Sequence, residues 1–273
     1  MVTKRMLRRF PRLHAAYRGY RESKQLVQSP TRTPQGFWLA GNSSMQSGQF
    51  EPVETNVVNG LLADVEVLIN IGANIGYYCC LALMQKKQVV AFEPMPNNLK
   101  MLIRNMERNG WERAIEIFPM ALSSEVGIAK IYGGGTGASL VKGWAGQAEE
   151  NVTSVPMSTL DIMLGERFQG ARCLMVVDIE GAELAMLRGA TNMLQANPKP
   201  VWMVEISITE HQPAGVGINP HLVETFELFA AAGYQAFTAE QTPREISMEE
   251  VRQVASSGCD TLQTHNFIFR GAT

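Results

Sequence analysis

The sequence predicts an α/β fold: a doubly wound, mostly parallel sheet with helices on both faces. Three observations carry this expectation. Short apolar runs rich in β-branched residues alternate with stretches of helical periodicity along most of the chain. The order strand, helix, strand, helix, strand implies right-handed crossovers and a parallel sheet. The first of these strands runs into a turn carrying Gly72 and Gly76, the place where such sheets hold ligands.

The elements follow in chain order. "VEVLINI" is an apolar run read as a buried strand. A helix follows from about Ile75 to Met84, and "QVVAFEP" (Gln88 to Pro94) is the second strand. Leu99, Leu102, Ile103 and Met106 recur at i, i+3, i+4 and i+7, one face of a helix that Gly110 stops. "AIEIF" is the third strand. The middle departs from the alternation. "ALSSEVGIAKIY" reads as a hairpin turning near Gly127, and "GGGTGASLVKGWAG", with six glycines, as a mobile loop. "NVTSVPM" is extended, and Ser158 or Thr159 caps a short helix through Leu164. The alternation then resumes with the strand "CLMVVD", the helix "GAELAMLRGATNMLQ", the strand "VWMVEIS", the helix "HLVETFELFAAAG" and the strand "YQAFT". The chain closes on "THNFIFR", read as an edge strand. Seven candidate strands lie outside the middle insertion.

Residues 1–36 read as a basic extension ending in the Pro-rich linker "SPTRTPQG", and residues 37–273 as one domain. The first 24 residues carry eight Lys or Arg against one Glu, without the apolar centre of a secretory signal. Such a leader is either solvated or a peripheral contact for a membrane surface. At 45% hydrophobic and 18% charged residues the chain can build a packed core. A net charge of −2 and a pI of about 6.1 exclude a general nucleic-acid binder. Cys79, Cys80 and Cys173 fall in apolar runs, which reads as buried thiols in a reducing compartment and sets a cytoplasmic expectation. No His and Cys cluster with metal-ligand spacing is present, so no metal site is assigned.

In "VLINIGANIGYY" a missing Cβ at Gly72 and Gly76 lets backbone approach a ligand and helix pack on strand. Asn74, between them, tolerates positive φ and can replace a glycine. The spacing GxNxG does not fit the GxGxxG of a dinucleotide turn, which speaks against a nicotinamide oxidoreductase. Glu93 ends the second strand 21 residues after Gly72, where an acid accepts hydrogen bonds from ribose hydroxyls.

"FEP" in "GQFEP", then "INIGANIGYY", "AFEPMPNN", "MALSSEVG", "STLD" and "VVDIEGAELAMLRGA", in this order, resemble the FkbM family of S-adenosylmethionine-dependent methyltransferases. The likeness covers about residues 46–206, with a weaker echo in "HNFIF". It implies a class I methyltransferase, Rossmann-like, with a seven-stranded sheet whose last strand is antiparallel. It also implies methyl transfer, mostly to hydroxyl oxygens of sugars, glycolipids or other small molecules. The turn of Gly72, Ala73, Asn74 and Gly76 would hold the methionine part of the cofactor. Glu93, with Pro94 beside it, would hold the ribose diol. Met120, Ala121 and Leu122 would flank the adenine, and Asp178 would line the methyl-transfer site, with Glu180 and Glu183 following. The family usually has Asp where Asn70 stands, at a position that helps hold the cofactor's amino group, and often Lys where Val176 stands. Asn keeps the hydrogen-bonding shape without the charge, so weaker binding is expected, not loss of binding.

Methyl transfer to an alcohol needs near-attack placement, exclusion of water and removal of a proton. The candidate catalytic residues are Asp178, Glu180, Glu205 and His211, all expected to face one cleft. A divalent ion between Asp178 and Glu205 is an alternative use of those carboxylates. The glycine-rich loop near Ser139 and Trp144 is the candidate lid. A module of the same fold that binds cofactor or glycan without turnover is the competing reading of the whole chain.

Overall fold

The computed structural model describes residues 28–147 and 149–271. The basic segment of the first 24 residues, with its suggested membrane contact, lies outside the described residues. A hairpin, β1 (Thr31–Arg32) and β2 (Trp38–Leu39), and two helices, α1 (Ser43–Gln46) and α2 (Pro52–Leu61), precede the main sheet. β3 (Val67–Ile71), α3 (Tyr77–Met84), β4 (Gln88–Phe92), α4 (Pro96–Asn109) and β5 (Ile115–Phe118) form the first alternating half. The insertion holds β6 (Ala121–Leu122), β7 (Gly127–Tyr132), β8 (Val152–Ser158) and α5 (Leu160–Leu164). The second half runs through β9 (Cys173–Val177), α6 (Glu183–Arg188), α7 (Thr191–Leu194), β10 (Val201–Glu205) and α8 (Leu222–Ala231). It ends with β11 (Tyr234–Thr238), β12 (Glu245–Ile246), α9 (Met248–Ser257) and β13 (Asn266–Gly271).

The main sheet has the order β12-β11-β13-β10-β9-β3-β4-β5. From β10 to β5 all neighbours are parallel, and β13 runs antiparallel to both β10 and β11. The sheet therefore has eight strands, not the seven expected. The extra one is the two-residue β12, which pairs with Ala236 and Phe237 at the edge and is too short to show a pattern. "NFIFRG" is not an edge strand. It is inserted between β10 and β11, which is why Phe267, Ile268 and Phe269 are all buried.

The strands are apolar throughout because both faces are covered. Val67, Ile69 and Ile71 of β3 pack with residues of α5 to α9, while Leu68 packs with the hairpin and α2 to α4. Helix α4 shows a second departure. Its buried face is Asn98, Met101, Leu102, Asn105 and Met106, and Ile103 is 41% exposed. Asn105 displaces an apolar residue from the core because its amide is fully used: Oδ1 accepts from Ala40 N at 2.9 Å and Nδ2 donates to Ile75 O at 2.9 Å.

The insertion is a three-stranded sheet of order β6-β8-β7. The hairpin expected within 121–132 does not form. β7 pairs antiparallel with β8 across the glycine-rich loop, and β6 pairs with β8 from the other side. Thr159, not Ser158, caps α5, accepting from Ile162 N at 3.1 Å. The single helix expected over 181–195 is two short ones broken at Gly189, where a Cβ would lie 2.2 Å from the Ser123 carbonyl oxygen. Among the described residues no helix is long and apolar enough to cross a membrane.

Candidate functional site

Chain order reverses between β3 and β9: β4 and β5 lie on one side, β10 on the other. That reversal opens a crevice at the carboxyl ends of the strands. A cleft of about 590 Å³, open to solvent, occupies it. Its walls come from the ends of β3, β4 and β9, from β6, from the start of α4 and from the glycine-rich loop.

The turn after β3 is built from within. Gly72 N and Ala73 N both donate to Phe92 O, and Gly76 N donates to Ala73 O at 2.8 Å. Gly72, Asn74 and Gly76 all have positive φ, at 82°, 52° and 89°. Asn74 thus takes the conformation expected of a glycine substitute. The two glycines serve protein packing. A Cβ on Gly72 would lie 1.8 Å from Asp178 O, and one on Gly76 would lie 2.4 Å from Leu102 Cδ1. Gly72 and Asn74 line the cleft, whereas Ala73, Gly76 and Asn70 do not. Asn70 turns between strands and helix: Nδ2 donates to Val176 O at 3.3 Å, and Oδ1 accepts from Cys79 Sγ at 3.4 Å.

Glu93 is 3% exposed and lines the cleft. Its carboxylate accepts from Asn74 N at 2.7 Å, Met95 N at 2.8 Å and Asn98 Nδ2 at 3.3 Å. Those three donors take three of the roughly four acceptor positions of a carboxylate, leaving room for one more donor from the cleft. Burial pushes the Glu93 carboxyl up to about 7, with the three hydrogen bonds pulling against it. Pro94 lines the cleft next to it, and Met120, Ala121, Leu122, Ile131 and Leu140 supply an apolar wall. Asn98 was not among the residues expected from sequence. It is legible only as a polar residue on the buried face of α4, five places after Glu93.

Of the four candidate catalytic residues, Asp178 and Glu180 line the cleft. Glu205 stands beside Asp178, because Val177 and Val204 are register partners, Asp178 follows β9 and Glu205 ends β10. Burial, then neighbouring carboxylates, raise Asp178 and Glu205 well above the usual range. Glu180 has φ 56°, a left-handed conformation that non-glycine residues take rarely and mostly at functional sites. Its Oε2 accepts from Trp144 Nε1 at 2.6 Å, and His211 Nδ1 lies 3.9 Å away. Glu183 Oε1 accepts from Gly181 N at 2.9 Å, tying the turn that leads into α6, and burial raises its carboxyl to about 7.

The glycine-rich loop closes over this end. Trp144 is 3% exposed, and a Cβ on Gly181 would meet its ring at 2.5 Å. Ser139 Oγ donates to Glu180 O. Among the described residues no group of three His, Cys, Asp or Glu could hold a metal ion.

A family model described as the methyltransferase FkbM domain matches residues 70–236, well over half of the chain. Solved structures similar to the chain include a methyltransferase FkbM from Methylobacillus flagellatus KT, at 15% identity and a TM-score of 0.46, covering 76% of this chain and 44% of that one. The chain thus spans less than half the length of that relative. A ribosomal protein L11 methylase from Lactobacillus delbrueckii subsp. bulgaricus matches at 8% identity and a TM-score of 0.42, covering 80% and 77%. An O-methyltransferase from Bacillus cereus in complex with SAH matches at 12% identity and a TM-score of 0.40, covering 79% and 77%. No curated protein matches. The chain belongs to the methyltransferase FkbM domain family.

Proposed function

We propose that the protein transfers a methyl group from S-adenosylmethionine to a hydroxyl of a sugar, glycolipid or other small molecule. The observation that carries the reading is Glu93, an almost fully buried carboxylate at the end of β4 with acceptor capacity left toward the cleft. The lining fits the cofactor. Glu93 suits ribose hydroxyls, the wall of Met120, Ala121, Leu122, Ile131 and Leu140 suits a flat adenine, and Asp178 suits the positive charge of the methionine end. Family membership supports the same group. When bound, it supplies an activated methyl on a sulfonium centre.

The chain's own residues do the rest. Gly72 and Asn74 form the floor of the cleft, held in shape by Phe92 O and Glu93 rather than by ligand. Trp144 and the glycine-rich loop exclude water from the end at Asp178. Asp178 is the best placed base: of the candidates that line the cleft, it is the one whose carboxylate is not engaged by Trp144. A raised pKa makes its ionised form a stronger base toward an alcohol proton than an ordinary carboxylate, and a positively charged donor beside it would favour that ionised form. Burial, then the neighbouring carboxylate of Glu180, sustain that shift, Glu205 lies beside it on β10, and His211 and Trp144 orient Glu180.

The test is calorimetric titration with S-adenosylhomocysteine, with Glu93→Ala alongside. We expect binding by the intact protein and its loss in the variant. Transfer of a labelled methyl to polyhydroxylated acceptors then tests the acceptor class. An intact protein that binds no S-adenosylhomocysteine overturns the cofactor assignment; labelled nitrogen or carbon products overturn the hydroxyl.

A further inference from the structure

Near Asp178 and Glu205, behind the lining of the cleft, stands a carboxylate of the "FEP" stretch that lies outside the matched residues 70–236. Glu51 precedes Pro52 at the start of α2 and holds a left-handed conformation, φ 39° and ψ 65°. Its Oε2 accepts from Tyr78 Oη at 2.8 Å, and Tyr78 lies in α3, directly after the turn of the cofactor cleft. The position of α2 is fixed a second way. Glu54, one turn further along, accepts from Asn266 Nδ2 at 3.4 Å, and Asn266 is the register partner of Glu205. The N-terminus of α2 therefore sits over the carboxyl ends of β9 and β10, where Asp178 and Glu205 stand side by side.

No opposing charge meets this group. The cleft lining contains no Lys or Arg, and among the described residues Glu51, Asp178 and Glu205 form no ion pair. Half-buried carboxylates gathered without a cation are costly at neutral pH. A backbone strained at Glu51 and a tyrosine that fixes its carboxylate hold it there all the same. A ligand carrying positive charge at this end offsets the cost, and a neutral one does not.

We propose that Glu51, fixed by Tyr78, acts with Asp178 and Glu205 to make the cleft prefer the sulfonium-bearing donor S-adenosylmethionine over its neutral-sulfur product S-adenosylhomocysteine. The proposal rests on the methyltransferase reading above. It assigns Glu51 a role in donor selection and product release. The two ligands share the ribose, adenine, amino and carboxylate groups, so the ratio of their affinities isolates the extra charge and methyl.

The experiment is calorimetric titration of the full chain with each ligand, for the intact protein, Glu51→Gln and Glu51→Asp. We expect Glu51→Gln to lower the donor-to-product affinity ratio about fivefold to tenfold, the scale of one nearby charge in a partly solvated site. Its affinity for S-adenosylhomocysteine should stay within about twofold on the same argument. Glu51→Asp, which keeps the charge, should retain most of the ratio, and a thermal melt of each variant separates a lost fold from a lost charge. An unchanged ratio in Glu51→Gln, with product binding intact, overturns the role of Glu51 and leaves the methyltransferase reading standing. Failure of the intact protein to bind S-adenosylhomocysteine overturns both.

Discussion

The two ends of the cleft are built on opposite electrostatic terms. At the β4 end a single carboxylate, Glu93, is surrounded by three protein donors before any ligand arrives. At the β9 and β10 end, carboxylates crowd one another, and their shifts all run upward. The first arrangement fixes a shape. The second makes ionisation costly, a cost that a positively charged ligand would relieve. The two regions meet where Gly72 lies against Asp178 O and Asp178 N donates to Ile71 O at 3.0 Å.

Breaking that contact should have the largest effect. Gly72→Ala forces a Cβ into a carbonyl oxygen 1.8 Å away, at φ 82°. Neither β3 nor β9 can give way, since both are buried on both faces. We expect a loss of at least about 3 kcal/mol, or failure to fold, read by urea denaturation. A fully stable variant would mean that the two ends are not locked together.

Next comes the satisfied end. Glu93→Ala removes the ligand acceptor and also strands Asn74 N, Met95 N and Asn98 Nδ2. We expect about a hundredfold weaker S-adenosylhomocysteine binding by calorimetry. Because burial raises Glu93 to about 7, its ionised form is lost as pH falls through that value. Ribose hydroxyls favour the ionised form, so affinity should fall below pH 7, and Glu93→Gln should flatten the profile.

Raised carboxyls at both ends predict the pH dependence of stability. Glu93 and Glu183 have folded values of about 7 against an ordinary 4.5. Between those values the folded state binds more protons than the unfolded, so their contribution is full below about 4.5 and lost as pH rises through about 7. Glu210 and Glu250 are shifted down, and their contributions are already complete above 4.5, so they do not oppose the trend. The Tm of the ligand-free protein should therefore be higher at pH 5.5 than at pH 8, by about 2 to 4 °C for each kcal/mol involved. Glu205→Gln should raise the Tm at pH 8 by about 3 °C, because the folded carboxyl, pushed up to about 10, must stay protonated there while the unfolded one ionises. A melt that is flat between the two pH values would remove the claim of costly ionisation.

The same division governs what was legible in the sequence. The β4 end was readable because its logic is local. An apolar run ends in an acid, a glycine turn precedes a helix, and Asn74 can take positive φ. The crowding at the other end depends on β9, β10 and α2 meeting, and such proximity leaves no mark on any one segment. Glu51 and Tyr78 fall in two of the stretches that carry the family resemblance, but they are 27 residues apart and nothing in either stretch says that their side chains meet. The helix Met248–Ser257 is legible in the capping box of Ser247 and Glu250, in Met248, Val251 and Val254 spaced three apart and in Gly258 beyond the end, although the sequence reading assigns no helix there. "NFIFRG" reads as an edge strand but lies inside the sheet, because hydrophobicity reports burial and not which neighbours a strand has. Asn70 was read from its position in the turn, but strand alternation sends its side chain toward α3 and Cys79 rather than into the cleft.

The smallest effect sharpens the comparison most finely, because it tests one hydrogen bond within the crowded end. Trp144→Phe keeps an aromatic ring in the loop, without the outer indole edge that meets Gly181, and removes the Nε1 donor to Glu180. Burial raises Glu180, and the Trp144 bond pulls it down, so the bond is worth more to the ionised carboxylate than to the protonated one. Its loss should cost about 1 kcal/mol at pH 8 and less at pH 5.5. Urea denaturation at the two pH values measures both numbers. S-adenosylhomocysteine binding should be unaffected, since Trp144 is not among the residues lining the cleft. A cost that is equal at both pH values would mean that the loop is held by packing alone. Weakened product binding would mean that the two ends are not separable.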